Sequence, residues 1–309
     1  MGLIRGALLA ASRSDWLRLR ATRYRFVRHA VTRFMPGEKL DDALAAASAL
    51  RALGISTVVT YLGENVATEA EAAGVAGHYL DALDRVAERG LDTEISVKLT
   101  HLGLDLGTDI AASHLTTIAR RCAAMKTRVW IDMEGSSCTD ATIEVYRRIP
   151  DRSAVGICLQ AYLRRTRADL EALLPEGPAI RLVKGAYREP SELAFPRKKD
   201  VDAHFFDLAA RLLGSETRRA GAWAVFGTHD PLLIRKIVDH ATARAVPKSA
   251  YEFDLLYGIR RDEQERLARE GHRVRVLISY GSFWFPWYLR RLAERPANLW
   301  FVARNMLGG

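Results

Sequence analysis

No apolar run in this 309-residue chain approaches the roughly 20 residues that a helix needs to cross a bilayer. The opening Met1-Gly-Leu-Ile-Arg5 is too short in apolar residues for a secretory signal, and Gly6 stands where a myristoylation motif needs a hydroxyl. Cysteine is scarce: Cys122, Cys138 and Cys158 form no C-x-x-C pair and no zinc spacing. Their odd number excludes a disulfide framework and gives the expectation of reduced thiols in the cytoplasm. No G-x-G-x-x-G or G-x-x-x-x-G-K-[ST] follows any candidate strand, so the usual phosphate loop of a doubly wound sheet is missing. No Ser-His-Asp order and no thiol setting for covalent catalysis can be identified. His229 has no second histidine at ligand spacing, so no metal is expected.

What is present is ordinary globular material, 49% hydrophobic and 27% charged, enough for one domain of barrel size. The formal charge of +9 admits a polyanion, an acidic substrate or an anionic surface as partner. No zinc-finger, RNA-recognition or basic-zipper signature accompanies it, and nucleic acid is not expected. Much of the charge lies in the first 35 residues, where eight arginines face a single acid, Asp15. Trp16, Leu19, Val27, Val31 and Phe34 interleave them at near-helical spacing, which predicts a basic amphipathic arm over residues 1–50. Such an arm packs on the body or touches an anionic membrane surface from the cytoplasmic side.

From Ile55 onwards helix and strand patterns alternate over residues 51–309. Strands are predicted at 55–62, 94–99, 128–133, 155–160, 179–183, 222–226, 250–255 and 274–278, with amphipathic helical segments between most of them. Alternation of this kind means a parallel sheet with helical crossovers, and about eight short β-branched units fit an α/β, TIM-like (βα)8 barrel better than an open sheet.

A barrel of this type carries its chemistry at the carboxyl ends of its strands, and the unusual residues of this chain cluster there. They are Glu64, Lys98, Asp132, Glu134, Gln160, Tyr162, Arg181, Lys184, Thr228, His229 and Asp254. On the last helix Arg290 and Arg291 stand about 100° apart, with Glu294 placed to brace both. Lys98, Arg181, Lys184, Arg290 and Arg291 give the expectation of a site with several cations and few acids, suited to a carboxylate and a diphosphate. Redox chemistry on a bound cofactor is the natural remaining option. Periodicity and spacing go no further than that.

Three segments are more specific: Arg181-Leu-Val-Lys-Gly-Ala-Tyr187, Glu252-Phe-Asp-Leu-Leu-Tyr-Gly258, and Tyr280-Gly281 followed by Arg290-Arg-Leu-Ala-Glu294. Together they resemble the proline dehydrogenase family, from Arg33 to Asn298. The resemblance implies a distorted (βα)8 barrel that uses FAD to oxidise L-proline to Δ1-pyrroline-5-carboxylate, with electrons passed to a quinone. It places the substrate carboxylate against Lys98, Arg290 and Arg291, Asp132 near substrate and flavin, and Leu256 beside the substrate ring. It assigns Gln160, Arg181, Val183, Lys184, Gly185, Ala186, Tyr187, Thr228, His229 and Glu294 to FAD. Family members of greater length add an aldehyde dehydrogenase; 309 residues leave no room for it, so a separate pyrroline-5-carboxylate dehydrogenase is expected downstream.

The chain departs from the family pattern at three positions. Leu277 and Trp287 stand where ring-lining tyrosines are usual, and Asp254 replaces a glutamine on strand seven. The first two make the pocket more apolar and change its shape; Tyr280 and Tyr288 are the nearby tyrosines that would have to compensate. Three alternatives follow: a flavoenzyme for a substituted or different cyclic amino acid, a non-catalytic homologue that binds flavin or an anionic ligand, and the similar flavin barrel of methylenetetrahydrofolate reductase. The paired arginines disfavour the last of these.

Overall fold

β-Branched and aromatic residues recur in eight short runs, and each becomes a strand because alternate side chains find an apolar partner on one face. The computed structural model describes residues 33–187 and 189–284. Its strands are β1 Ser56–Tyr61, β2 Thr93–Lys98, β3 Val129–Asp132, β4 Val155–Gln160, β5 Ala179–Val183, β6 Trp223–Gly227, β7 Tyr251–Leu256 and β8 Arg273–Tyr280. They close in sequence order into one barrel, every neighbouring pair parallel, with β1 sealing against β8. The expected strand positions agree to within one residue at each end for β1 to β7. Strand β8 is the exception: it runs to Tyr280, two residues beyond the expected stop at Ile278.

The helices are α1 Leu40–Arg51, α2 Glu69–Glu88, α3 Thr108–Ala124, α4 Thr139–Arg148, α5 Thr166–Leu173, α6 Lys198–Leu212, α7 Ser215–Arg219, α8 Pro231–Ala243 and α9 Arg261–Arg269. Helix α2 shows why they form. Ala72, Val75, Ala76, Tyr79, Ala82, Leu83 and Val86 make one buried stripe at three- and four-residue spacing. At its start the Glu71 N–H donates to Thr68 Oγ1 at 3.2 Å while Glu71 Oε2 accepts the Thr68 N–H at 3.2 Å, so two otherwise orphaned donors are satisfied reciprocally. Helix α1, the end of the arm, lays Leu40, Ala43, Leu44 and Ala47 into the same core.

Side chains of one parity along the strands, among them Val59, Ile95, Ile131, Leu182, Phe253 and Ile278, pack outward against the helices in the main core. Each such side chain stabilises the fold by about 1.5–3 kcal/mol relative to exposure. The other parity fills the lumen, where Val58, Trp130, Ala179 and Val225 meet Trp223 and Leu277. Gly156 makes room for this layer: a Cβ there would stand 2.4 Å from the Trp130 indole. Among the described residues no helix is long and apolar enough to cross a membrane.

Candidate active site

Above the Trp130 layer the inward-facing positions turn polar. Arg181 on β5 reaches across the lumen and is only 3% exposed. Its guanidinium donates to Ser96 Oγ at 2.5 Å, Asp132 Oδ1 at 2.7 Å, Asp254 Oδ2 at 3.2 Å and Cys158 Sγ at 3.0 Å. Four strands therefore converge on one side chain. Burial works against its charge, but Cys158 and the carboxylates of Asp132 and Asp254 outweigh that and hold the guanidinium protonated. Burial pushes the Asp254 carboxyl up to about 7, against the pull of Arg181, and the Cys158 thiol up to about 12, which leaves it inert as a nucleophile.

A second polar tier lies beneath, at the amino-terminal end. Arg275 Nε is 3.1 Å from Glu252 Oε1 and 3.4 Å from Glu94 Oε2, and the Trp130 indole N–H donates to Glu94 Oε2 at 2.5 Å. Sequence reasoning missed this tier, and it also missed Ser96 and Cys158 as partners of Arg181. The available signal was the two-residue spacing of Glu94, Ser96 and Lys98, and of Arg273 and Arg275, which puts each set on one face of its strand.

At the mouth, Lys98 and Asp132 are register partners on β2 and β3. The Lys98 side chain is half-buried and makes no hydrogen bond or ion pair among the described residues. Glu134 is tied down beside it, accepting the Thr100 N–H at 3.1 Å and the Thr100 hydroxyl at 2.7 Å. Burial raises the Glu134 pKa, against the pull of Thr100 and Lys98. Burial, with Lys98 second, lowers the His101 pKa to about 4. Gln160 is 3% exposed; its amide donates to the Met133 carbonyl at 2.9 Å and its Oε1 is buried without a partner among the described residues.

Beyond β5 the chain continues through Lys184, Gly185, Ala186 and Tyr187, all half-buried. Gly185 takes φ +106°, and a Cβ there would stand 2.1 Å from the Tyr162 ring, so only glycine lets this loop fold over β4. Val183 and Gly227 are register partners. Thr228 Oγ1 accepts the Asp230 N–H at 3.3 Å, and His229 Nε2 accepts the Leu256 N–H at 2.8 Å, which places the proton of the neutral ring on Nδ1. Leu256 and Leu277 face each other across β7 and β8, half-buried at the mouth.

Two expectations are corrected. The site is not poor in acids: Arg181 shares two carboxylates, and Lys184 Nζ is paired with Asp202 and, at 3.1 Å, with Asp230. Tyr280 does not compensate for Leu277. Its parity turns it out of the lumen onto α2, where its hydroxyl meets His78 Nε2 at 2.8 Å. Trp287, Tyr288, Arg290, Arg291 and Glu294 lie outside the described residues, as does the arm before residue 33. Among the described residues no group of three His, Cys, Asp or Glu is placed to hold a metal ion.

Comparison with known proteins decides what this barrel is. The family model described as proline dehydrogenase matches residues 43–304. The chain belongs to the proline dehydrogenase family. It is 38% identical over 276 residues to proline dehydrogenase 1 of Bacillus subtilis subsp. natto, covering 89% of this chain and 90% of that one. With proline dehydrogenase of Deinococcus radiodurans the identity is 35% over 283 residues, 90% of each chain. Among solved structures, proline utilization A from Bdellovibrio bacteriovorus inactivated by N-propargylglycine superposes with a TM-score of 0.80 at 25% identity. That match covers 87% of this chain and 33% of the other, so the chain spans about a third of the solved protein. The expectation of an enzyme of this class on a TIM-like barrel stands.

Proposed function

We propose that this enzyme oxidises L-proline to Δ1-pyrroline-5-carboxylate with FAD as its electron acceptor. The observation that carries the reading is the convergence of Lys98, Asp132, Gln160, Arg181 and the Lys184–Tyr187 loop on the carboxyl mouth of one barrel, in a chain of this family. When bound, the flavin supplies a two-electron acceptor for the hydride leaving the carbon next to the ring nitrogen. The residues present fit it. Gln160 Oε1, without a partner among the described residues, is an acceptor awaiting an N–H, and the Gly185 turn brings backbone to the mouth where a Cβ would not fit.

Lys98, half-buried with no ion pair among the described residues, is suited to a substrate carboxylate; Arg290 and Arg291 complete that clamp. A fixed carboxylate orients the reacting carbon, and orientation supplies much of the rate. Arg181 presents a fixed, desolvated positive charge towards the site and stabilises negative charge that develops on the acceptor. Lys184, held by Asp202 and Asp230, exchanges those partners to serve a diphosphate. Reoxidation passes to a quinone, with the basic arm making peripheral contact with the membrane.

The test is anaerobic mixing of the purified protein with excess L-proline, pipecolate or hydroxyproline while the visible flavin absorbance is followed. Rapid bleaching by proline supports the reading. Bound flavin reduced only by another cyclic amino acid supports a second one, favoured by the apolar Leu256–Leu277 pair and the outward turn of Tyr280: a substrate ring larger or less polar than proline. A flavin that no amino acid reduces leaves a binding protein and sinks both.

A further inference from the structure

The carboxyls and guanidiniums inside the barrel do not balance evenly. In the lower tier Glu94 and Glu252 share Arg275, and rim arginines assist them: Arg128 lies 3.8 Å from Glu94 and Arg273 lies 3.7 Å from Glu252. In the upper tier two carboxyls, Asp132 and Asp254, face the single guanidinium of Arg181. The two acids are not equivalent. Asp132 is 24% exposed, opens on the mouth and also accepts the Ser96 hydroxyl at 2.8 Å. Asp254 is 5% exposed, meets Arg181 through Oδ2 at 3.2 Å, and its Oδ1 is buried without a partner among the described residues.

The charged groups around Asp254 come from several strands. Glu252 lies on its own strand, Arg181 on β5, Arg275 on β8, Glu94 on β2, and Asp132 and Cys158 join through Arg181 from β3 and β4. Strand β6 presents Gly227 as its register partner, and β1 contributes Val58 and Thr60, none of which titrates. A buried carboxylate with one free oxygen and a shared counter-ion is costly, and a proton on it removes the cost.

We propose that Asp254 is the residue that holds a proton in the upper polar tier of the barrel and is a positioning residue for Arg181. As the neutral acid it leaves Arg181 matched by a single counter-anion, Asp132. As the anion it sets a second carboxylate against the one guanidinium and makes the group net negative towards the mouth. The glutamine expected at this position from the family pattern would give Arg181 a permanently neutral neighbour, whereas an acid makes the field depend on protonation. The burial that raises the Asp254 carboxyl to about 7 agrees with this geometry. The influence on the acceptor rests on the flavin reading above; the location of the proton does not.

The experiment is infrared difference spectroscopy of the protein between pH 5 and pH 9, with and without bound flavin, on wild type, Asp254→Asn and Glu252→Gln. The carbonyl band of a protonated carboxyl that disappears at high pH is expected in wild type and in E252Q, and is expected to be missing in D254N. In parallel, the visible spectrum and reduction potential of the bound flavin are followed against pH. Wild type is expected to show one proton-linked inflection that D254N lacks, with D254N fixed at the wild type's low-pH value. A band that survives in D254N, or vanishes in E252Q instead, overturns the assignment of the proton. Identical flavin profiles in wild type and D254N overturn the positioning role. A chain that binds no flavin sinks the functional reading and removes the positioning role with it, while the infrared arm alone still decides where the proton sits.

Discussion

Among the described residues Arg181 is the side chain on which the largest number of separate strands depends, and the cost of removing it follows from what it leaves behind. R181M strands two carboxyls in the lumen, and breaking a buried pair in this way costs about 3–5 kcal/mol. Chemical denaturation checks this. Adding D132N to R181M is expected to restore more stability than adding D254N, because a protonated Asp254 leaves Asp132 as the buried anion. Lys98 makes the opposite case. It holds nothing together among the described residues, so K98M is expected to leave the melting temperature nearly unchanged. A charge-assisted hydrogen bond to the substrate is worth about 1.5–3 kcal/mol, so kcat/KM for the amino acid is expected to fall roughly 10- to 100-fold. Steady-state kinetics beside a melting curve separates the two residues. A lysine whose loss unfolds the barrel would refute its assignment to the mouth.

At the scale of the element, two small changes test how the strands and helices are specified. T68A removes the acceptor for the Glu71 N–H at the start of α2 and is expected to cost about 1 kcal/mol with activity retained. G156A inserts a methyl into the Trp130 indole and is expected to cost about 1–3 kcal/mol through overpacking; a larger fraction of the loss should be recovered by W130F than T68A recovers with the same change. These elements also show what the chain discloses by itself. The strands were legible because runs such as Thr57, Val58 and Val59 are β-branched and bounded by glycine, and the barrel followed from eight of them alternating with helices. The mouth was legible because polar residues at strand ends stand out against apolar neighbours. The lumen was not. Arg181 meets Asp254 across 73 positions and Arg275 meets the Thr57 carbonyl across 218, and no local pattern reports such a pairing. Without those partners Arg181 and Lys184 looked like free cations, and Tyr280 looked able to enter the pocket until the parity of β8 turned it onto His78.

For the molecule as a whole, two buried groups make the stability of the barrel depend on pH in opposite senses. His101 binds its proton at about 4 in the folded chain and at 6.5 when unfolded. Between those values the unfolded chain holds more protons, so this histidine destabilises the fold as pH falls from 6.5 towards 4. Asp254 keeps its proton up to about 7 when folded and loses it at 3.8 when unfolded. Here the folded chain holds more protons, so its contribution is lost as pH rises from 3.8 towards 7. The windows overlap and the slopes oppose each other, so wild type is expected to change little from these two groups between pH 4 and 6.5. Each substitution should uncover the other limb. Relative to wild type, D254N is expected to gain stability as pH rises through that range and to hold the gain above pH 7, whereas H101Q gains as pH falls. Melting temperatures of the three proteins from pH 4 to 8 measure both differences on one axis, and every other titrating group cancels in the subtraction. A D254N difference that stays level with pH would mean that the acid at the heart of the barrel is ionised throughout, and that Arg181 carries two anions at every pH at which the enzyme works.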